Sequence, residues 1–432
     1  MAGQRCSAPG RGQGRCGAES SWPVAEFYDP AEGLSPEAWH ARLARRLGET
    51  VALAWARTAA GRRAVAAAGR PLADLRWPED LALLPLLRKA DLPALQAADP
   101  PFAGWVAVPV QELSHIFVSP GPIYDPAGRG EDYWGFAPAL HAAGFRRGDL
   151  VLNTFAYHLT PAGHMFDRAL AALGCVVIPG GVGSTEIQAR TARDLRIRGY
   201  IGTPSFLAAL LQKIDGPSPF AVAFVSGEML PDALRRDLQA RDICVFQGYA
   251  TADVGLVAYE CPEHNGLHLS PRVFVEIIDP ERGTPQAPGA VGEVVVTFLS
   301  EVYPLLRLAT GDLSTLDPSP CPCGRGSPRL ARLVGRVGEA VKVRGLFVHP
   351  EEVRRAFIRI PQVDRYQLVV SREGHRDRLL ARVEPSAGAP LDPAAVAARL
   401  REAITLRVEV EVLAPGTLPP EVPPLLDTRR WE

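Results

Sequence analysis

Gly248-Tyr249-Ala250-Thr251-Ala252-Asp253-Val254-Gly255 follows an apolar, strand-like run, Ile243-Cys244-Val245-Phe246, and Gln247. Small residues on a turn after a strand allow backbone to approach a ligand closely. Thr251 supplies a hydroxyl and Asp253 a carboxylate, the hard oxygen donors that Mg²⁺ and phosphate need. The reading therefore starts from a strand whose carboxyl end faces a ligand.

Upstream, short apolar runs alternate with helical patterns. Ile116-Phe117-Val118, Leu150-Val151-Leu152, Val176-Val177-Ile178, Tyr200-Ile201-Gly202 and Ala221 to Val225 read as strands. Tyr133 to Ala143, Met165 to Leu173, Glu186 to Arg196 and Pro204 to Ile214 read as helices. Such alternation implies βαβ units and a largely parallel sheet, with ligands at the carboxyl ends of its strands. The stretches beginning at Ser119, Ser226 and Gly248 occupy that position. Earlier still, Ser35-Pro36-Glu37 marks a helix start, and helical pattern continues to about Ala68. Leu84 to Leu92 is a connector into another helix.

Downstream of Gly255 the pattern changes. Val273 to Ile278 and Gly292 to Thr297 alternate, with Gly/Pro turns between, and predict a small antiparallel lobe. The last hundred or so residues form a separate small domain. It has helices at Pro350 to Ile358 and Pro393 to Leu406, and strands at Tyr366 to Val370, Leu379 to Val383 and Val408 to Leu413. The expected fold is α/β: a large N-terminal α/β domain with a small antiparallel lobe, plus a small α+β C-terminal lid domain.

At 432 residues the chain is too long for one ordinary core, and 47% hydrophobic with 22% charged residues suits a soluble globular protein. A net charge of −1 gives no electrostatic case for nucleic acid or an anionic membrane. No apolar run reaches the roughly 18 residues of a membrane span. Only Lys89, Lys213 and Lys342 are lysines. Seven cysteines do not make a disulfide framework in a chain of this size. Cys175 and Cys244 read as core residues. Residues 1–22, rich in Gly, Arg and Ser, read as a disordered or mis-started extension rather than a secretory signal, and the protein as cytoplasmic.

The order of motifs resembles the phenylacetate–CoA ligase branch of the adenylate-forming enzymes, from about Tyr28 to Leu418. Ser226-Gly227-Glu228 resembles that family's Gly-Ala-Glu adenine segment, and Tyr249-Ala250-Thr251-Ala252-Asp253 its Tyr-Gly-x-Ser/Thr-Glu motif. Thr310-Gly311-Asp312 matches its Thr-Gly-Asp. Gly335-Arg336 and Val341-Lys342-Val343-Arg344-Gly345 resemble its hinge and the start of its mobile domain. The resemblance implies an AMP-binding domain over 23–334 and a lid over 335–432, pivoting near Gly335–Glu339. It implies a small carboxylic acid, aryl or arylacetic, reacting with ATP to an acyl-adenylate and then with CoA to a thioester. A homodimer is left open.

The same resemblance implies site roles. Asp312 would accept the ribose hydroxyls and Tyr249 stack on adenine, with Ser119, Gly121, Ser226, Gly227, Glu228, Gly248, Ala250, Thr251 and Arg336 around the nucleotide. Thr251, Asp253 and Lys342 would be catalytic, with Asp253 holding Mg²⁺. Tyr157 and His158 would wall the acyl pocket. Cys261, His268, Cys321 and Cys323 form a Cys₃His set for structural zinc, with His264 the alternative imidazole.

Three departures stand out. The family's phosphate loop, Ser-Ser-Gly-Thr-Thr-Gly-Lys-Pro, is here Ser119-Pro120-Gly121-Pro122-Ile123-Tyr124-Asp125-Pro126. Prolines remove N–H donors, and Asp125 puts negative charge where the pattern has lysine. The family's C-terminal lysine has no counterpart, Arg429 and Arg430 being the only nearby cations. Gly338-Glu339 stands where Asp-Asp is expected. These departures keep a second reading alive: a relative that binds nucleotide or acyl-adenylate without adenylating, or performs only the thioester half-reaction.

Overall fold

The computed structural model describes residues 26–119, 122–337, 341–343, 346–348, 350–373, 376–386, 390–404, 406–419 and 421–429. Gly121, the pivot residues Gly338 and Glu339, and the extension 1–22 lie outside them. The chain divides into two compact units. The first runs through Glu276 and adds Val295–Ala309 and Leu316–Ala331; the second comprises Ile277–Val294, Thr310–Thr315 and the chain from Arg332 on. Against the expected boundary at 335, short pieces of the antiparallel lobe group with the tail.

In the first unit, helix Pro36–Arg57 starts where the sequence places it: Ser35 accepts from Ala38 N, and Pro36 takes the first turn, where its missing N–H costs nothing. Trp39, Leu43, Leu47, Val51 and Ala54 form its buried stripe. The helical stretch expected to run on to Ala68 is two helices. Thr58 leaves the helical region at φ −123° and caps a new one, Ala59–Ala67, by accepting from Gly61 N.

Strands Val176–Pro179, Leu150–Asn153, Gly199–Gly202, Val222–Val225 and Cys244–Thr251 lie side by side in that order, all parallel. Their burial is carried by a core that includes Leu152, Tyr200, Leu207, Leu210, Phe220, Val225 and Val245. Each such side chain contributes about 1.5–3 kcal/mol by leaving water. Gly255–Glu260 then turns antiparallel on Cys244–Thr251, followed by Leu267–Leu269 and Arg329–Arg336. The hydrogen-bonded order continues through Leu308–Asp317 and Gly292–Phe298 to Val273–Ile278, and Leu87–Arg88 pairs in parallel with Leu308 and Ala309.

Three local expectations are corrected. Ser119 does not end a strand of the parallel sheet. His115–Ser119 pairs antiparallel with Ile123–Ala127 in a separate two-stranded sheet, so Asp125 is a strand residue rather than part of an open loop. The helix expected from Tyr133 is confined to Ala137–Ala142, because Asp132 accepts from Phe136 N and Ala137 N, and Gly135 adopts φ +76°. Cys175 and Cys244 are half-buried rather than core residues.

A buried polar knot ties the start of the described chain to the antiparallel lobe. Glu32 Oε2 accepts from Arg325 Nε at 2.9 Å and from the Tyr259 hydroxyl at 3.0 Å, with Glu32 Oε1 held by Asp29 N. Both ionic side chains are almost fully buried. Glu32→Leu strands the Arg325 guanidinium in the interior and is expected to cost about 3–5 kcal/mol in urea unfolding. A loss below about 1 kcal/mol would show that water reaches the knot.

In the second unit, Glu409–Val412, Arg376–Pro385, Val363–Glu373 and Leu425–Asp427 form a mixed sheet in that order; the central pair is antiparallel and the outer pairs parallel. Helices Pro350–Ile358 and Pro393–Ile404 supply Val353, Phe357, Val396 and Leu400 to a core with Leu368, Val370, Leu379, Ala381 and Val383. This is the two-helix, small-sheet domain expected from the alternation.

Candidate active site and metal centre

The motif read as a turn is mostly strand. Gly248 to Thr251 continue Cys244–Thr251, and the turn is Ala252-Asp253-Val254, between Thr251 and its partner Gly255. A register irregularity between Tyr249 and Ala250 re-aims the hairpin tip. Gly255 sits at φ +76°, and a Cβ there would lie 2.5 Å from that of Trp134. Only glycine fits, and that fixes how the tip carries Asp253.

Asp253 is buried, and its Oδ2 accepts from Lys89 Nζ at 2.6 Å. Lys89 opens the short helical turn Lys89–Asp91, directly after Leu87–Arg88, and Leu87 N donates to Arg307 O. The pairing of that strand with Leu308 thus sets where the ammonium stands. Nothing in the local sequence around Lys89 marks it for chemistry. Its one signal is scarcity, as one of three lysines.

Asp125 faces the same place. It is 3% exposed, and neither carboxylate oxygen has a hydrogen-bond partner among the described residues. Burial first, and then the Asp253 charge, push its pKa up to about 8, with Ser119 and Lys89 pulling the other way. Gln96 fixes the strand beneath, donating to Tyr124 O at 2.9 Å and accepting from Tyr124 N at 2.8 Å. The Ser119 hydroxyl, Asp253 Oδ1 and the Tyr303 hydroxyl are likewise buried without a partner of normal geometry. Tyr303, which the sequence did not single out, is fully buried; burial, then Asp253 and Asp125, hold its pKa well above the ordinary phenol value.

Ser226 and Gly227 end strand Val222–Val225, next to the hairpin strand. Ser226 Oγ donates to Gly248 O at 2.8 Å, which joins the two expected nucleotide segments. Gly227 takes φ +81°, and the exposed Glu228 carboxylate accepts from Ser205 Oγ at 2.9 Å. Tyr249 is buried at the end of its strand, and Ala250 and Thr251 are half-buried beside it. Asp312 belongs to the second unit. Its Oδ1 accepts from Arg336 Nε at 3.1 Å, and Gly311 N donates to Glu293 Oε1. Two residues expected at the ribose therefore come together. Lys342 lies on Val341–Val343, opposite Phe347. Arg429, one of the cations considered for the missing C-terminal lysine, is 97% buried and held by Asp377 and Asp427 at 3.0 and 2.7 Å. It is occupied within its own unit.

Tyr157 donates to Asp167 Oδ1 at 2.6 Å and accepts from Asn153 Nδ2 at 2.9 Å. Burial, and then Asp167, raise its pKa. His164 meets its ring edge-on and contacts Phe117 and His115, while Phe155 stacks on Phe166. His158 is exposed and lies outside this ring cluster.

The cysteine set is compact. The ligand atoms of Cys261, His268, Cys321 and Cys323 all lie within 4.8 Å of one another, and all four residues are buried. Cys261 Sγ and Cys321 Sγ are 3.7 Å apart, and Cys323 Sγ is 3.3 Å from His268 Nε2. Zinc with bonds of about 2.3 Å to each sulfur sets tetrahedral sulfurs about 3.8 Å apart. His268 Nδ1 is 3.1 Å from Ser327 O and 2.9 Å from Ser327 Oγ, an arrangement that orients Nε2 toward the thiols. The hydrogen bond between Cys261 and Cys323 raises the first thiol's pKa and lowers the second's. His264 is elsewhere: Nδ1 lies 3.4 Å from Glu260, with the ring stacked on Phe246.

Residues 345–422 match the model of the AMP-binding enzyme C-terminal domain. A phenylacetate-coenzyme A ligase of Thermus thermophilus is 33% identical over 381 residues, covering 83% of this chain and 84% of that protein. One from Escherichia coli is 30% identical over 377 residues, covering 82% and 84%. Among solved structures, an open conformation of 2-hydroxyisobutyryl-CoA ligase in complex with 2-HIB-AMP and CoA aligns with 97% of this chain and 100% of that one, at a TM-score of 0.82 and 23% identity.

Proposed function

Since the chain belongs to the phenylacetate–CoA ligase-like branch of the adenylate-forming enzymes and is by that membership an acid–CoA ligase, we propose that it acts on an aryl or arylacetic acid, and that adenylation is its slow half-reaction. The observation that carries the reading is the identity of about a third to phenylacetate–CoA ligases over most of both chains. The ring-rich surface of Phe117, Tyr157 and His164 supports an aromatic acid.

The roles follow from the residue types. Asp312 accepts the two ribose hydroxyls, with Arg336 holding its carboxylate in place. Tyr249 offers a ring for adenine, and Gly227 lets backbone come close to it. Asp253, with a buried and unpartnered Oδ1, suits Mg²⁺, which when bound neutralises phosphate charge. Lys342 serves the thioester half. The Cys₃His set suits zinc in a structural role, since four protein ligands leave no open position.

Slow adenylation follows from charge. The family's C-terminal lysine has no counterpart beyond Lys342, and Arg429, the cation considered in its place, is committed to two carboxylates. One missing transition-state donor costs about 10²–10³ in rate. ATP–pyrophosphate exchange across arylacetic, benzoic and fatty acids is expected to be slow and best with an aryl acid, with supplied acyl-adenylate and CoA reacting faster. Asp312→Ala is expected to weaken both halves by about tenfold or more. Vigorous exchange removes the slow-adenylation reading. Failure both to bind ATP and to consume the adenylate favours the binding-protein alternative, which the same two charge observations support.

A further inference from the structure

Ser119, Asp125, Asp253 and Tyr303 are four buried residues with oxygens that find no hydrogen-bond partner among the described residues. Leaving one such group unsatisfied costs about 1–3 kcal/mol, and more for a charge. Ser119 and Asp125 lie on paired strands, and Asp125 and Asp253 act on each other and on Tyr303, so buried oxygens that are not fully satisfied share one neighbourhood. Tyr303 is the independent sign: it is no acid, it is fully buried, and the charges acting on it are those of Asp253 and Asp125.

We propose that Asp125 and Asp253, with the Ser119 and Tyr303 hydroxyls, form a site for one hard divalent cation such as Mg²⁺, in which Asp125 is a carboxylate ligand. All the donors are oxygen, which selects Mg²⁺ or Mn²⁺ over softer metals. The charges make the same point. A metal is ligated by both carboxylates in their ionised form, and these with the Lys89 ammonium sum to minus one before the ion is counted. A bound dication reverses it to plus one, the sign a phosphate requires. Asp125 is then not a damaged phosphate loop. It exchanges a side-chain cation for a metal held by the side chain. Lys89 keeps Asp253 Oδ2 and leaves Oδ1 for the ion.

The proposal deepens the ligase reading and rests on it only for the role of the ion, so the test omits turnover. Full-length protein, with its cysteine cluster loaded with zinc, is titrated with Mn²⁺ alone and followed by electron paramagnetic resonance. One bound Mn²⁺ per chain is expected, weakened about tenfold or more in Asp125→Asn and in Asp253→Asn, and about severalfold in Tyr303→Phe. No binding by the wild-type protein overturns the proposal. So does Asp125→Asn binding as wild type while Asp253→Asn does not, which leaves a single-carboxylate site. If Asp125→Asn does not fold, Tyr303→Phe decides, and wild-type affinity there overturns the site. Mn²⁺ binding without any ATP–pyrophosphate exchange keeps the site and removes slow adenylation, so the two failures are separable.

Discussion

Lys89→Met is expected to lower ATP–pyrophosphate exchange by about 10²–10³-fold, while the conversion of supplied acyl-adenylate with CoA falls far less. The ammonium stands 2.6 Å from Asp253 Oδ2, and the Asp253 side chain is wholly buried. Methionine keeps the length and removes the charge, so Asp253 is left with a buried negative charge beside Asp125. The hairpin turn that carries it then loses its tie to the Lys89 turn. Breaking such a pair costs about 3–5 kcal/mol locally, and arginine is not expected to restore the rate because its planar fork does not reproduce a point charge in a confined site. The decisive comparison is between the two half-reactions. Equal losses in both would make Lys89 a folding residue, and an unchanged exchange rate would exclude it from the reaction.

The second large effect concerns the cysteine cluster. Purified protein is expected to hold one zinc per chain, and Cys321→Ser or removal with a strong chelator to lower the unfolding midpoint by about 5 °C, as a loss of roughly 5 kcal/mol produces in a chain of this size. The sulfur spacing of 3.7 Å already matches a tetrahedral ion, and the metal-free cluster sets one thiol against another. His268→Ala is expected to act as Cys321→Ser does, and His264→Ala to leave zinc content unchanged, because His264 pairs with Glu260. Metal analysis with well under one zinc per wild-type chain removes the assignment.

How much was legible depended on whether a feature is local. The parallel sheet, the Ser35 cap and the two-helix tail domain follow from periodicity and capping chemistry, which act over a few residues. The clustering of Cys261, His268, Cys321 and Cys323 was legible because thiols and imidazoles are rare and their spacing is characteristic. Lys89 was not, because its partner is 164 positions away in sequence and only the pairing of Leu87–Arg88 with Leu308 brings it close. Asp125 was visible but misjudged as lying on an open loop; alternation in Ile123 to Ala127 is too short to mark a strand, since two of its five residues are Asp125 and Pro126. His158 was read by the resemblance as part of the acyl-pocket wall; it is exposed. Tyr303 had no signal at all: a lone aromatic acquires meaning only from what surrounds it.

An enzyme that makes a mixed anhydride also makes an acylating agent, and the side chain most open to acylation is a free amine. The same salt bridge that steadies Asp253 disarms Lys89 in this respect. An ammonium donating to a carboxylate has three hydrogens and no lone pair, so it cannot attack the carbonyl formed beside it. With only two other lysines in the chain, few side-chain amines are present to compete with the CoA thiol.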